Sequence, residues 1–506
     1  MADNNKKSNF SSLSQGEGRG EALITGAEAL MRSLEHQGVK TIFGYPGGSI
    51  MPVFDALYDH RKELNHILVR HEQGATHAAQ GFARVSGEVG VCLVTSGPGA
   101  TNTITGIADA MIDSTPIVVI AGQVGTNFLG TDAFQEVDLV GITQPITKWS
   151  YQIRRAEDVA WAVARAFYVA KSGRPGPVVL DFAKNAQVEK TEYAPTKVDY
   201  VRSYLPVPEM EPEAIRQAAE LINGAERPLV LVGQGVELGE AQQELRAFIE
   251  KAGMPAGCTL LGLSALPTNH PLNKGMLGMH GNLGPNINTN KCDVLIAVGM
   301  RFDDRVTGKL ETYAKQAKII HFDIDPAEIG KNIQTTVPIV GDMKNVITVM
   351  RDKINYHVSD VWKNEFMSWQ EPEIKPIEGF VEPRTFISRL SEMLRHKAIL
   401  VADVGQNQIW CANNFKISDG RFLTTGGMGT MGYSLPAALG AKLARPERDV
   451  FVVCGDGSFQ MSMSELAVVV QSNINVKIII MQNGRLGMVR EIQDLSLIHI
   501  SEPTSP

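Results

Sequence analysis

Cysteine is scarce in this chain. There are five in 506 residues (Cys92, Cys258, Cys292, Cys411 and Cys454), and no two form a CxxC pair. That pattern argues against a disulfide framework and a zinc knuckle, and fits free thiols in a reducing compartment. No apolar run reaches membrane-spanning length, so no membrane partner is expected. Basic runs and aromatic–basic interleaving are also missing, and the net charge is −7, so nucleic acid is not an expected partner. Residues 1–19 lack the apolar core of a secretory signal and read as a disordered tail. The expected location is cytoplasmic. What remains is 43% hydrophobic and 20% charged, ordinary for a soluble enzyme. The length suggests about three domains.

Short apolar runs alternating with amphipathic segments divide the chain into three α/β blocks. The expected fold class is α/β, with three doubly wound parallel-sheet domains. Block one covers 20–185, with strands at Lys40–Phe43, His66–Val69, Gly90–Val94 and Ile117–Ala121 and helices at Glu72–Arg84 and Ala100–Ile112. Its strands read as buried on both faces, as in parallel sheets. A Pro- and charge-rich linker, 186–212, follows. Block two covers 213–355, with strands at Leu229–Val232, Val294–Val298, Ile319–Asp323 and Val337–Val340. A second linker, 356–383, contains Pro372, Pro376 and Pro383 and leads to block three, 384–494. Blocks one and three echo each other: Val91–Gly99 and Val450–Gly457 each read as strand, glycine turn, helix.

Block three holds the most informative pattern. Val452-Val453-Cys454-Gly455-Asp456-Gly457-Ser458 reads as a strand running into a helix, and Asn483 follows at the end of the next strand. Asp456 offers a carboxylate, Asn483 an amide oxygen, and the following loop a backbone carbonyl. With phosphate oxygens these suit the octahedral shell of Mg²⁺. Ser458 opens a helix whose free N–H groups can face an anion. The alternative is an ordinary Gly-Asp turn at a strand end.

Other strand ends are more ambiguous. Glu72, in His71-Glu72-Gln73-Gly74-Ala75, can be a functional carboxyl or simply a first-turn acid complementing the helix dipole. Gly44-Tyr45-Pro46-Gly47-Gly48 forms a turn where backbone can approach a ligand. Gly233-Gln234-Gly235 departs from GxGxxG and is weak as a nucleotide motif. Arg301 and Arg305, in Gly299–Val306, can fork onto phosphates or belong to a solvated charged loop. Asp323 and Asp325 end a strand where carboxylates commonly accept ribose hydroxyls.

Taken together, Tyr45–Gly48, Arg70–Glu72, Thr95–Asn102, Thr131–Glu136, Gly173–Pro177, Arg301–Gly308, Met428–Gly432 and Gly455–Ser458 closely resemble the catalytic large subunits of the acetolactate synthase family. That group is also called acetohydroxyacid synthase, and its members are thiamine-diphosphate enzymes. The resemblance runs from about residue 21 to Asp494. It implies a pyrimidine-binding domain, a Rossmann-like FAD-binding domain and a diphosphate-binding domain, in that order. It further implies a homodimer or homotetramer with active sites between chains, and a regulatory small subunit. The implied cofactors are thiamine diphosphate, Mg²⁺ and FAD, and the implied substrates are 2-oxo acids.

On this resemblance Glu72 would hydrogen-bond the cofactor's aminopyrimidine ring, and Gln135, Gly48 and Lys184 would face the reacting acids. Tyr45, Pro46, Gly47, Pro98 and Asn102 would complete the pyrimidine side. Gln406, Asn407, Gly429 and Met431 would meet the cofactor from block three, with Met431 propping its bent shape. Gly457, Ser458, Leu486, Gly487 and Met488 would surround its diphosphate, and Asp456, Asn483 and the carbonyl of Arg485 would ligate Mg²⁺. FAD would be held by Arg174, Gly233, Gly235, Thr259, Leu260, Met279 and His280. Further along, Gly299, Arg301, Asp303, Arg305, Val306, Asp323, Ile324 and Asp342 would also contact it.

Three positions depart from the family pattern. Asn407 stands where His is frequent, Gln482 replaces the first of two asparagines, and Ile492 replaces a Trp of the second-substrate pocket. Beyond Asp494 the sequence resembles translated read-through, so 495–506 is expected to be foreign and block three incomplete. The alternatives carried forward are another thiamine-diphosphate, FAD-containing enzyme (a pyruvate oxidase or a carboligase) and a non-catalytic fragment.

Overall fold

A computed structural model describes residues 23–373 and 378–496. The expectation for 1–19 lies outside these residues. So does that for 495–506, apart from the last two residues of the helix Gly487–Ser496.

Block one is built on six parallel strands. Their spatial order is Asn65–Leu68, Thr41–Tyr45, Gly90–Val94, Ile117–Gln123, Val178–Ala183, Trp149–Ile153. All but the edge strands are mostly buried on both faces, which explains their unbroken apolar sequences. Counted along the chain this order is 2-1-3-4-6-5. Its direction reverses between Thr41–Tyr45 and Gly90–Val94, so the crevice beyond their carboxyl ends is where a doubly wound sheet takes ligands.

Block three repeats the arrangement with four parallel strands, Arg421–Leu423, Ile399–Ala402, Val450–Gly455 and Lys477–Met481. Their chain order, 2-1-3-4, matches the first four strands of block one. The echo between Val91–Gly99 and Val450–Gly457 falls on the third strand of each sheet.

The middle sheet runs Asn273–Met276, Ala256–Cys258, Pro228–Val232, Val294–Val298, Lys318–Asp323, Val337–Val340, again all parallel. Its order of 3-2-1-4-5-6 is that of dinucleotide-binding sheets, with the switch point between Pro228–Val232 and Val294–Val298.

Five details differ from the sequence reading. Strand ends shift by one or two residues, and the helix expected over Ala100–Ile112 is divided into Pro98–Thr101 and Ile104–Ile112. Two threonine hydroxyls bond backward there, Thr101 to the Pro98 carbonyl and Thr103 to the Ala100 carbonyl, competing with a continuous helical ladder. The strands Ala256–Cys258 and Asn273–Met276 carry no β-branched residue, so propensity is silent on them. The stretch 356–383, expected as linker, contains the helix Asp360–Ser368. Trp362 and Phe366 on it are buried, and the Trp362 indole donates to the Pro228 carbonyl at 2.9 Å, tying this helix to the middle sheet. In the stretch 186–212, Lys190–Thr191 pairs antiparallel with Ile24–Thr25.

Blocks one and three meet through the helices Glu72–Ser86 and Ser434–Ala444. A Cβ placed on Gly81 would lie 1.9 Å from the Ala437 carbonyl oxygen, and one on Gly440 would lie 1.8 Å from that of Ala78. Backbone therefore touches backbone, and nothing flexible can yield. Gly440→Ala should destabilise the chain by about 1–3 kcal/mol or more, measured as a lower thermal unfolding midpoint. An unchanged midpoint would show that these helices separate freely.

Candidate active site

At the switch point of block one the two loops touch. A Cβ on Gly47 would stand 2.5 Å from Thr95 Cγ2, and Ser96 Oγ donates to Ser49 Oγ at 2.8 Å. Helix Glu72–Ser86 starts beside them, with His71 as N-cap accepting from the Gln73 N–H at 3.1 Å. Glu72 Oε2 accepts from the Asn102 amide at 2.9 Å. Its other oxygen would lie 3.4 Å from a Cβ on Gly99, so the carboxyl leans on the turn after Pro98. Gln135 adopts a left-handed backbone, φ 62°, and packs directly on Gly97, where a Cβ would meet its own at 2.8 Å. Lys184 Nζ donates to the Gly48 carbonyl at 3.2 Å. The structure thus gathers Glu72, Pro98, Asn102 and Gln135 on one loop cluster and joins Lys184 to the Tyr45–Gly48 turn.

The matching end of block three holds the second group. Asp456 opens the helix Asp456–Ser462, and its Oδ2 accepts from the Gly484 N–H at 3.1 Å. Asn483 Oδ1 accepts from the Arg485 N–H at 3.0 Å. A Cβ on Gly487 would meet Gln406 Oε1 at 2.1 Å and Asn483 Nδ2 at 2.8 Å, so these three stand together. Gly457 faces Leu486, and Met431 is next nearest. Asn407 is anchored from the strand side. Its buried amide donates to the carbonyls of Asp403 at 2.7 Å and Val453 at 3.2 Å, so it braces the strand ends.

Behind this group Asp403 organises the turn Met428–Gly432. Its carboxylate accepts from the N–H groups of Gly432 at 3.0 Å and Ser434 at 2.9 Å, and from Ser434 Oγ at 2.6 Å. Gly429 and Gly432 have φ of 66° and 88°, a conformation a side chain would strain. Among the described residues the side-chain hydrogen bonds of Glu72 and Asp456 stay within their own blocks.

Between the blocks lies a cavity of about 780 Å³, within the range of small-molecule and cofactor sites. Of the residues expected to hold FAD, every one except Gly233 lines it. Gly233 packs against the neighbouring strand end. Its N–H donates to the Val298 carbonyl at 2.8 Å, and a Cβ there would collide with the Gly299 carbonyl at 2.0 Å. Asp303 caps the helix Asp304–Thr307, accepting from the N–H groups of Arg305 at 3.0 Å and Val306 at 3.2 Å. Arg174 reaches in from block one, held by Ser114 Oγ at 2.8 Å, Asp325 at 3.1 Å and Glu328 at 2.6 Å. Burial pushes the Asp323 carboxyl up to about 6 and pulls the His280 imidazole below its usual value. Gly429, Met488 and Ile492 line the same cavity, so it opens towards the Asp456 group.

Several residues that hold these parts escaped the sequence reading. Asp113 accepts from the N–H groups of both Gly426 and Gly427 at 2.8 Å, and Asp109 accepts from the Thr425 hydroxyl. Both are buried, and desolvation, then the neighbouring Asp109, pushes Asp113 up to about 6. Glu465 reaches the turn before Glu72. Their partners lie more than three hundred residues away in sequence, and no local signal marks them.

A 2-1-3-4-6-5 sheet with a Glu–Asn pair at its strand ends and a 2-1-3-4 sheet with Asp456 and Asn483 at its own point to the class of thiamine pyrophosphate enzymes. The family profiles agree: the N-terminal TPP-binding domain matches residues 24–142, the central domain 215–350 and the C-terminal TPP-binding domain 403–503. Acetolactate synthase of Mycobacterium bovis is 47% identical over 484 residues, spanning 93% of this chain and 78% of that protein. The probable acetolactate synthase large subunit of Methanocaldococcus jannaschii is 46% identical, spanning 95% of this chain and 84% of that protein. The acetolactate synthase large subunit of Corynebacterium glutamicum is 45% identical, spanning 95% and 78%. The chain belongs to the acetolactate synthase large-subunit family. Among the described residues no helix is long and apolar enough to cross a membrane.

Proposed function

We propose that this chain removes carbon dioxide from pyruvate and transfers the remaining two-carbon unit to a second 2-oxo acid, as acetolactate synthase does in branched-chain amino-acid biosynthesis. The acceptor is pyruvate or 2-oxobutyrate. The observation that carries this reading is the Glu72–Asn102 pair at the mouth of one sheet, with Gln135, Gly48 and Lys184 beside it.

Thiamine diphosphate, when bound, supplies the carbon nucleophile and the electron sink for decarboxylation. The chain's part is to bind, orient and move protons. Glu72 holds or releases a proton at a ring nitrogen of the aminopyrimidine, and Asn102 fixes the carboxyl that does so. Lys184 and Gln135 offer donors for the substrate carboxylates, and Met431 would support the cofactor from block three.

The Asp456 group fits a hard cation. It combines one carboxylate, one amide oxygen and the carbonyl of Arg485, so Mg²⁺ there would rely on phosphate oxygens to complete its shell. The cavity beside it fits FAD in size and in its Rossmann-ordered sheet, with Arg301 and Arg305 suited to the phosphates. Because the reaction has no net redox step, that flavin would be structural. Glu72 and Asp456 belong to different blocks, and a homodimer in which each site takes one block from each chain would unite them. A regulatory small subunit accompanies such a large subunit.

Incubation with pyruvate, thiamine diphosphate, Mg²⁺ and FAD should yield acetolactate while the bound flavin stays oxidised. Acetate or peroxide without acetolactate would instead favour a pyruvate oxidase-like enzyme.

A further inference from the structure

Glu465 belongs to block three, yet its side chain lies under the turn that launches Glu72 in block one. It ends the short 3-10 turn Met463–Glu465 and is 1% exposed. Its Oε1 accepts from the backbone N–H groups of Arg70 at 3.0 Å and His71 at 3.1 Å. Both N–H groups belong to the connection 69–71 between strand Asn65–Leu68 and helix Glu72–Ser86. A Cβ on Gly74 would stand 2.7 Å from the same oxygen, so Gly74 leaves room for the carboxyl to reach the helix start. The next helix, Leu466–Gln471, supplies Gln471, whose amide oxygen accepts from the Arg70 guanidinium. Burial pushes the Glu465 carboxyl up to about 7, and its second oxygen has no hydrogen-bond partner. An ordinary buried spacer would be apolar at that position, because an unpaired buried carboxyl oxygen is costly.

We propose that Glu465 is a positioning residue for catalysis, its Oε1 fixing the Arg70–His71 peptides and through them the direction of Glu72. Asn102 holds the tip of the Glu72 side chain, and Glu465 holds its backbone. The inference rests on the reading of Glu72 as the group that activates the cofactor. It adds that the activating carboxyl is aimed by a residue nine positions after Asp456 in the same chain. The block that supplies the cation ligands therefore also sets the geometry of the block that supplies the activating acid.

The test uses the full chain. E465D withdraws the acceptor by one methylene, whereas E465Q keeps an oxygen in place. In the cofactor-free protein, E465D should speed hydrogen–deuterium exchange of the Arg70 and His71 amides. With thiamine diphosphate and Mg²⁺ bound, it should slow proton exchange at the thiazolium C2 about tenfold to a hundredfold, the scale of a small misplacement, with KM for pyruvate unchanged. E465Q should stay close to the parent protein in both. If E465D does not fold, Gly74→Ala pushes on the same oxygen from the helix side and should give the same pair of changes. Parent-like exchange in E465D, or equal damage in E465Q, overturns the proposal. Glu72→Gln separates the two readings. If it leaves C2 exchange intact, the role of Glu72 itself falls. If it stops C2 exchange while E465D does not, only the role of Glu465 falls.

Discussion

Glu72→Gln should lower acetolactate formation about 10²–10⁴-fold, the usual contribution of a positioned proton-transfer group. The substitution is nearly isosteric, so the contact with the Asn102 amide (2.9 Å in the parent) loses its charged acceptor but not its geometry. Thiamine diphosphate affinity, followed by fluorescence titration, should therefore change much less than turnover. That split separates a proton-handling carboxyl from a first-turn acid whose role is to complement the helix dipole, which is worth only about 0.3–1 kcal/mol. A variant with parent-like turnover would return Glu72 to that second role. Asn102→Ala, which frees the carboxyl without removing it, should cost less than Glu72→Gln.

Asp456→Ala should weaken Mg²⁺-dependent binding of thiamine diphosphate by at least about 100-fold, since even partners outside the ligand shell cost 10–100-fold when removed. The reason lies in the composition of the site. Among the described residues no cluster of three or more His, Cys, Asp or Glu exists that could hold a metal, and the proposed ligand set contains a single carboxylate. Removing it takes away the one carboxylate of that proposed set. Asn483→Ala removes a neutral amide oxygen and should cost less, with partial rescue by excess Mg²⁺. Titration of cofactor at several Mg²⁺ concentrations distinguishes these cases. Binding of thiamine diphosphate to Asp456→Ala that matches the parent would remove this metal assignment.

Much of this arrangement was legible in the sequence because it is encoded among near neighbours. The strands Gly90–Val94, Val294–Val298 and Val337–Val340 match their expected limits residue for residue. An apolar run bounded by turn residues is a local property and survives without knowledge of the fold. The turns at Pro98, Asp456 and Asn483 were legible for the same reason, since glycines and a polar side chain at a strand end are contiguous. The helix Asp360–Ser368 was not. Its surroundings are Pro-rich and polar, and what keeps it in place is Trp362 reaching the Pro228 carbonyl, 134 residues away. Gly233 shows a related limit: glycine after a strand signals close approach without naming the neighbour, and here a Cβ would meet the Gly299 carbonyl.

By itself, then, the sequence determined the parts: three parallel α/β blocks, the residues at their strand ends, and the chemistry those residues can carry. Only the tertiary structure decided how the parts are held. Glu465 meets the peptides of Arg70 and His71 across 395 and 394 residues, and Asp113 meets Gly426 across 313. Such hydrogen bonds involve one carboxyl and an anonymous stretch of backbone, so no residue type at the far end announces them. They exist because Gly81 and Gly440 let two helices close to backbone contact, and that closure is a property of the packed chain.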